Sequence, residues 1–187
     1  MQIILASQSP RRQELLGLMK IPYIVRIADI DETMDPAQAP FDEVVRISRR
    51  KALAIEKEKD DLIIAADTIV VCDGKVLGKP HSAEEAKQML RSLSGRTHQV
   101  MTGVTVLRAD ALHSHTEVTD VTFRTLSDRQ IEAYVATGEP MDKAGSYGIQ
   151  GGAALFVEGI SGDYYNVVGL PVCKLQQMLE QMAPELF

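Results

Sequence analysis

Asp67 stands in the middle of an apolar run, residues 62–71, that is rich in strand-forming side chains. A continuous run of this length is typical of a strand buried on both faces. Burying a carboxylate there costs several kcal/mol unless a cation, a metal ion or hydrogen bonds compensate. Two interpretations of Asp67 stay open from this stretch alone: a strand-end aspartate that caps a turn, and a metal ligand or general base.

Two serines and two arginines surround a predicted strand-to-helix junction. Ser9 is a good helix N-cap and Pro10 suits the first helical position, so Arg11 and Arg12 fall in the first turn. Cations there oppose the helix dipole, and the arrangement makes most sense if an anion binds as well. Backbone N–H groups, a hydroxyl such as that of Ser7 and two guanidiniums form a natural phosphate site. The alternative is a pair of solvated arginines, and the glycines of a P-loop are absent.

Lys51 and Lys79 are further cations near predicted helix or strand ends. Pro80 biases Lys79 toward an extended backbone, so the direction of its side chain is comparatively fixed. A ligand-binding role and a solvated role are equally compatible with Lys79. For Arg49 and Arg50, beside Lys51, a solvated helix face is the favoured interpretation.

An acidic loop, residues 29–39, contains the adjacent pair Asp31 and Glu32. Together with Asp67, these acids could share a hard divalent cation such as Mg²⁺, which takes oxygen ligands and usually bridges to substrate phosphates. The residues by themselves favour the plainer alternative, an acidic surface loop.

A glycine segment, residues 142–152, carries Gln150. Small residues let the backbone approach a ligand closely. The amide of Gln150 offers both a donor and an acceptor, which suits contact with the edge of a nucleobase. Glycine-rich loops are common, so this signal is weak by itself.

Composition restricts the possible partners. The formal net charge is −6 and the pI about 5.2, which argues against the broad basic surface that nucleic-acid binding needs. The apolar runs are too short to cross a bilayer, and the first residues lack a signal-peptide pattern. Cys72 and Cys173 are isolated, which is typical of reduced thiols in a cytosolic protein. We therefore expect a cytoplasmic protein with no nucleic-acid or membrane partner.

Hydrophobic periodicity and turn residues predict alternating strands and helices with hairpins among them, and hence a mixed sheet flanked by helices. We expect residues 1–187 to form a single domain. The predicted strands cover residues 2–6, 21–27, 62–72, 75–78, 97–108, 116–125 and 154–160. The predicted helices begin after Ser9 and cover residues 41–59, 82–93, 127–136 and 171–182.

Several motifs, in order and nearly end to end, resemble the Maf family of nucleoside triphosphate pyrophosphatases. They read LASQSPRR at residues 5–12, ADT at 66–68, GKP at 78–80, LSGRTH at 93–98, DKAGSYGIQG at 142–151 and VGLP at 168–171. The match is most similar to the dTTP/UTP pyrophosphatase branch, on the Asp67-Thr68 pair and the block that ends at Gln150.

The resemblance implies a mixed, twisted sheet in two lobes with a cleft, similar to inosine triphosphate pyrophosphatases. It implies hydrolysis of a nucleoside triphosphate to the monophosphate and pyrophosphate, with a divalent metal, Mg²⁺ or Mn²⁺, and a homodimer. Asp67 falls at the family's general-base position, and Arg12, Thr68 and Gln150 at positions tied to substrate choice. Other cleft positions fall on Ser7, Ser9, Arg11, Glu32, Lys51 and Lys79, and we expect Glu32 and Asp67 to hold the metal.

Other functions remain compatible with the sequence. Within the same chemistry, the substrate could be 7-methyl-GTP or a broad set of non-standard nucleotides. A different class is a nucleotide-binding regulator of septum formation with little catalysis. Both classes predict nucleotide binding, and only the enzyme predicts release of pyrophosphate.

Overall fold

A seven-stranded mixed sheet organises the computed structural model, which describes residues 1–187. The strands are β1 (Ile3–Leu5), β2 (Ile24–Val25), β3 (Leu62–Cys72), β4 (Lys75–Leu77), β5 (Thr97–Arg108), β6 (Ala111–Phe123) and β7 (Val157–Ser161). Their order is β2-β1-β3-β5-β6-β7, and β4 pairs with β3 outside this path.

Parallel pairing joins the first three strands of that order. Ile4 on β1 is in register with Ile24 on β2 and with Ile63 on β3. Residues 62–66 have no exposed surface, as expected for parallel strands covered on both faces. β4 and β7 pair antiparallel with β3 and β6, so the predicted mixed α/β architecture is confirmed.

The helices begin where the sequence supplies caps. They are α1 (Pro10–Gly17), α2 (Pro40–Leu53), α3 (Ala83–Leu93), α4 (Asp128–Ala136), α5 (Tyr164–Val168) and α6 (Val172–Met182). The hydroxyls of Ser9, Ser82 and Ser127 accept backbone N–H groups at the starts of α1, α3 and α4. No helix is long and apolar enough to cross a membrane.

The chain divides into two compact units, in agreement with the expected two lobes; the cleft stays a prediction. The first unit comprises Met1–Asp67, Thr102–Glu117 and Gly169–Phe187, and the second comprises Thr68–Met101 and Val118–Val168. In the first unit, α2 packs closely on β5: a Cβ on Gly103 would lie 2.5 Å from the carbonyl oxygen of Val44. Only glycine fits that contact.

The largest differences from the predicted boundaries lie at four places. β2 covers only Ile24–Val25 instead of residues 21–27. α2 ends at Leu53 instead of residue 59, because residues 56–61 are charged and offer no apolar face to pack. β6 begins at Ala111 instead of residue 116, because Ala109 and Asp110 alone join it to β5. β7 begins at Val157 instead of residue 154, after a short 3₁₀ turn, Gly152–Leu155. The helix α5 was not predicted.

Candidate functional site

Lys51 joins two acids from different elements of the first unit. Its Nζ on α2 lies 2.7 Å from Oδ1 of Asp67 on β3 and 3.0 Å from Oε1 of Glu32 in the acidic loop. The side chains of Lys51 and Asp67 are 9% and 13% exposed, whereas that of Glu32 is 54% exposed. Because β3 continues past Asp67 to Cys72, the interpretation of Asp67 as a strand-end cap is wrong, and its buried charge is compensated by a cation.

Arg12 is held in place at the start of α1. The Ser9 hydroxyl accepts the backbone N–H of Arg12 at 3.4 Å, and Oγ of Ser7 accepts a guanidinium N–H at 3.4 Å. The guanidinium also donates, through Nε, to the carbonyl oxygen of Gly169 at 2.8 Å. These contacts orient the half-buried Arg12 side chain from two segments of the first unit.

Neighbouring charges of the first unit and burial shift the pKa of Arg12. Burial lowers the pKa of the Arg12 guanidinium, the charges of Asp67 and Glu32 oppose that effect, and Arg11 lowers the pKa further. A guanidinium stays protonated in spite of such shifts. Arg11 is half-buried in the same first turn of α1.

The carboxylates of Glu32 and Asp67 suit a hard divalent cation. Both approach one point, the Lys51 ammonium, from different elements. No group of three His, Cys, Asp or Glu side chains is placed to hold a metal ion. Two carboxylates completed by substrate phosphates and water are the usual ligands of Mg²⁺ at nucleotide sites, so this donor set fits.

A second ion pair fastens the acidic loop to α2, and sequence reasoning missed it. The carboxylate of Glu43 is buried, pairs with Arg46 at 2.6 Å and accepts the backbone N–H of Asp35 at 2.6 Å. Arg46 also donates to the carbonyl oxygen of Thr33 at 3.0 Å. The i,i+3 spacing of Glu43 and Arg46 was the available sequence signal. These contacts restrict the loop next to Glu32.

The remaining predicted residues, Thr68, Lys79 and Gln150, belong to the second unit. Thr68 follows Asp67 on β3 and is half-buried, whereas Lys79 and Gln150 are exposed. The backbone N–H of Gly145 donates to the carbonyl oxygen of Gly78 at 3.0 Å. This bond places the residue before Lys79 beside the glycine segment that carries Gln150.

Residues of the acidic loop and α2 line a groove of about 690 Å³. Acids of the loop and the guanidiniums of Arg46, Arg49 and Arg50 line it, but Lys51 and Asp67 do not. Neither Glu32 nor Asp67 lines the groove, so the convergent carboxylates mark the candidate site.

Known proteins resemble this chain along its whole length. The sequence model of the family described as "Maf-like protein" matches residues 2–182. A protein of Symbiobacterium thermophilum named dTTP/UTP pyrophosphatase is 52% identical over 100% of this chain and 96% of its own length. One of Bacillus cytotoxicus with the same name is 48% identical over 96% of this chain and 95% of its own length.

A solved structure shares the fold at low sequence identity. The structure of a HAM1 protein from Coxiella burnetii superposes with a TM-score of 0.51 and 15% identity. It covers 97% of this chain and 99% of its own. At this identity the likeness concerns the arrangement of the sheet and helices.

Proposed function

Because the chain belongs to the Maf-like protein family, we propose that it hydrolyses nucleoside triphosphates, with dTTP and UTP as substrates, to the monophosphate and pyrophosphate. The observation that carries this proposal is the approach of Asp67 and Glu32 to one ammonium, that of Lys51, in a unit that also holds Arg11 and Arg12. Such a set of acids and cations suits a polyanionic substrate and a water nucleophile.

In the proposed reaction, water attacks the α-phosphorus in line and pyrophosphate leaves. Asp67 accepts the proton of the attacking water, and its small exposure on β3, 13%, limits competing solvent. Arg11, Arg12 and Lys51 neutralise the charge of the triphosphate, as does Lys79 once the substrate is bound. The two serine hydroxyls, Ser7 and Ser9, keep Arg12 and the start of α1 in the binding geometry.

Glu32 and Asp67 would hold a divalent metal ion, Mg²⁺ or Mn²⁺, which lowers the pKa of the attacking water and neutralises phosphate charge. Lys51 already contacts both carboxylates and keeps them close together before the cation arrives. The contacts of Glu43 and Arg46 with residues 33–35 keep Glu32 near that position.

Thr68 and Gln150 are proposed to select the base. A uracil or thymine ring presents an acceptor and a donor on its edge, which match the amide of Gln150. A site that pairs with a polar edge rejects a wrong base strongly, because mispairing leaves buried groups unsatisfied.

Residues 1–187 act as one nucleotide pyrophosphatase domain, as a homodimer in the cytoplasm, without nucleic-acid or membrane partners. The acidic net charge of −6 supports the absence of a nucleic-acid partner. Sedimentation of the purified protein tests the homodimer. Binding assays with DNA and with lipid vesicles test the absence of nucleic-acid and membrane partners.

Pyrophosphate release from a panel of triphosphates tests the function. The panel contains dTTP, UTP, CTP, GTP and 7-methyl-GTP, each with Mg²⁺ or Mn²⁺, for the wild type, Asp67→Asn and a control, Asp110→Asn, in an exposed turn. We expect release from dTTP and UTP, a loss of about 100-fold or more in Asp67→Asn, and no loss in the control.

The other outcomes are equally informative. Near-normal turnover by Asp67→Asn would remove Asp67 from the role of base. Release from another triphosphate would keep the chemistry and overturn the roles of Thr68 and Gln150. Nucleotide binding without release would contradict the enzyme and favour the regulator.

A further inference from the structure

One carboxylate holds both ends of the short loop that carries Gln150. Oε2 of Glu139 accepts the backbone N–H of Gly152 at 3.0 Å. Oε1 of Glu139 accepts the hydroxyl of Tyr134 at 2.9 Å, and the same hydroxyl accepts the backbone N–H of Gly148 at 3.2 Å. Residues 148–152 are thus tied at each end to the Glu139–Tyr134 pair, with Gln150 at the middle.

The loop backbone lies directly against this carboxylate. A Cβ added to Gly151 would lie 2.0 Å from Oε1 of Glu139, closer than any non-bonded contact allows. The absence of a side chain at Gly151 therefore lets Glu139 reach the loop. Sequence reasoning explained these glycines only by approach to a ligand; here the backbone approaches a carboxylate of the protein itself.

The two anchoring residues are fixed in turn. The Tyr134 ring is buried on α4 and packs edge-on against Phe156, with centroids 5.1 Å apart. The backbone of Glu139 donates to the Thr137 hydroxyl at 3.2 Å and accepts from Nζ of Lys143 at 2.7 Å. Movement of Tyr134 or Glu139 would break these contacts.

We propose that Glu139, acting through the Tyr134 hydroxyl, is a positioning residue that sets the place of Gln150 and thereby the discrimination between uracil and cytosine. The proposal rests on the base-selecting role of Gln150 proposed above. The amide of Gln150 can match either base if it is free to turn over, because cytosine presents the reversed donor and acceptor pattern. A fixed loop restricts the positions from which that amide reaches a base edge, and so favours one pattern.

The test compares Glu139→Gln and Tyr134→Phe with a control, Glu132→Gln, which makes the same change on the exposed side of α4. The measured quantity is the ratio of kcat/KM for UTP to that for CTP. We expect this ratio to fall about tenfold in Glu139→Gln and Tyr134→Phe, and to stay unchanged in Glu132→Gln. In the Gln150→Ala background, Glu139→Gln should have no further effect on the ratio.

A second measurement does not depend on catalysis. Hydrogen exchange at the amides of Gly148 and Gly152 should accelerate in Glu139→Gln, while exchange in β3 stays unchanged. An unchanged UTP/CTP ratio with faster exchange would overturn the role in selectivity, and unchanged exchange would overturn the anchoring. Failure of the proposed function has a different signature, because the wild type itself would then release no pyrophosphate.

Discussion

Nζ of Lys51 lies 2.7 Å from Oδ1 of Asp67, in the middle of a strand whose preceding residues are fully buried. This contact accounts for a carboxylate inside an apolar run, because the cation offsets the cost of removing the charge from water. Glu32 approaches the same ammonium from the acidic loop, so one lysine keeps two negative charges close together.

Replacing Lys51 with methionine should destabilise the protein by about 2 kcal/mol at pH 7, because Asp67 and Glu32 would face each other without a cation. A divalent ion should restore part of that loss, since binding to the folded state adds stability. Urea unfolding with and without Mn²⁺ measures both effects. Lys59→Met, at an exposed position, is the control. If Mn²⁺ stabilised neither the wild type nor Lys51→Met, the idea that these carboxylates bind the metal would be refuted.

Replacing Glu43 with glutamine should loosen the acidic loop. The variant keeps the size of the side chain but loses its negative charge. In the wild type the carboxylate pairs with Arg46 and accepts the backbone N–H of Asp35. We expect a loss of about 1 kcal/mol and a several-fold weaker affinity for Mn²⁺, measured by calorimetry. Asp42→Asn, exposed on the same helix, should change neither quantity. If Mn²⁺ bound Glu43→Gln as tightly as the wild type, the contacts of Glu43 with Arg46 and Asp35 would have no role in the metal site.

Replacing Gly103 with alanine should destabilise the first unit by about 3 kcal/mol, because the new Cβ would meet the backbone of α2, which cannot move aside as a side chain could. Thermal unfolding measures the change. Gly159→Ala is the matched control, since nothing lies within 4 Å of its added Cβ. A melting temperature equal to that of the control would show that α2 shifts freely on β5.

His98 should make stability depend on pH. It is buried against Phe123, its Nε2 lies 2.7 Å from the Tyr147 hydroxyl, and burial lowers its pKa to about 4, an effect that the charge of Asp120 partly opposes. Below about pH 6.5, His98 binds a proton in the unfolded chain, whereas in the folded chain it stays neutral down to about pH 4. The folded state should therefore lose up to about 3 kcal/mol between pH 6.5 and pH 4.

The experiment subtracts the pH dependence of all other groups. The free energy of unfolding is measured from pH 7.5 to pH 4 for the wild type and for His98→Gln, which does not titrate. The difference between the two proteins should shrink as the pH falls, whereas His113→Gln, at an exposed position, should follow the wild type. Parallel curves for wild type and His98→Gln would contradict the low pKa.

Local chemistry was readable from the sequence. The N-cap hydroxyl of Ser9, the buried strand around Asp67 and the hairpin turn at Asp73 and Gly74 follow from a few neighbouring residues. Asp73 and Gly74 both adopt positive φ, 51° and 73°, as a type I′ turn requires, and an Asp-Gly pair favours that turn. The mixed-sheet architecture could also be predicted from the sequence, because alternating apolar patterns and short turns restrict the ways in which strands pair.

Tertiary structure alone decided which charges meet. Asp67 could have ended a strand and capped a turn. Instead β3 continues to Cys72, and the charge of Asp67 is compensated by Lys51, which lies 16 residues earlier on another element. The loop around Gln150 could have been a flexible glycine segment, and its anchoring depended on Glu139, which approaches only because the chain folds back between α4 and residue 152. Short-range sequence patterns determine backbone preference, whereas the compensation of a buried charge requires partners that the folded chain brings together from distant positions.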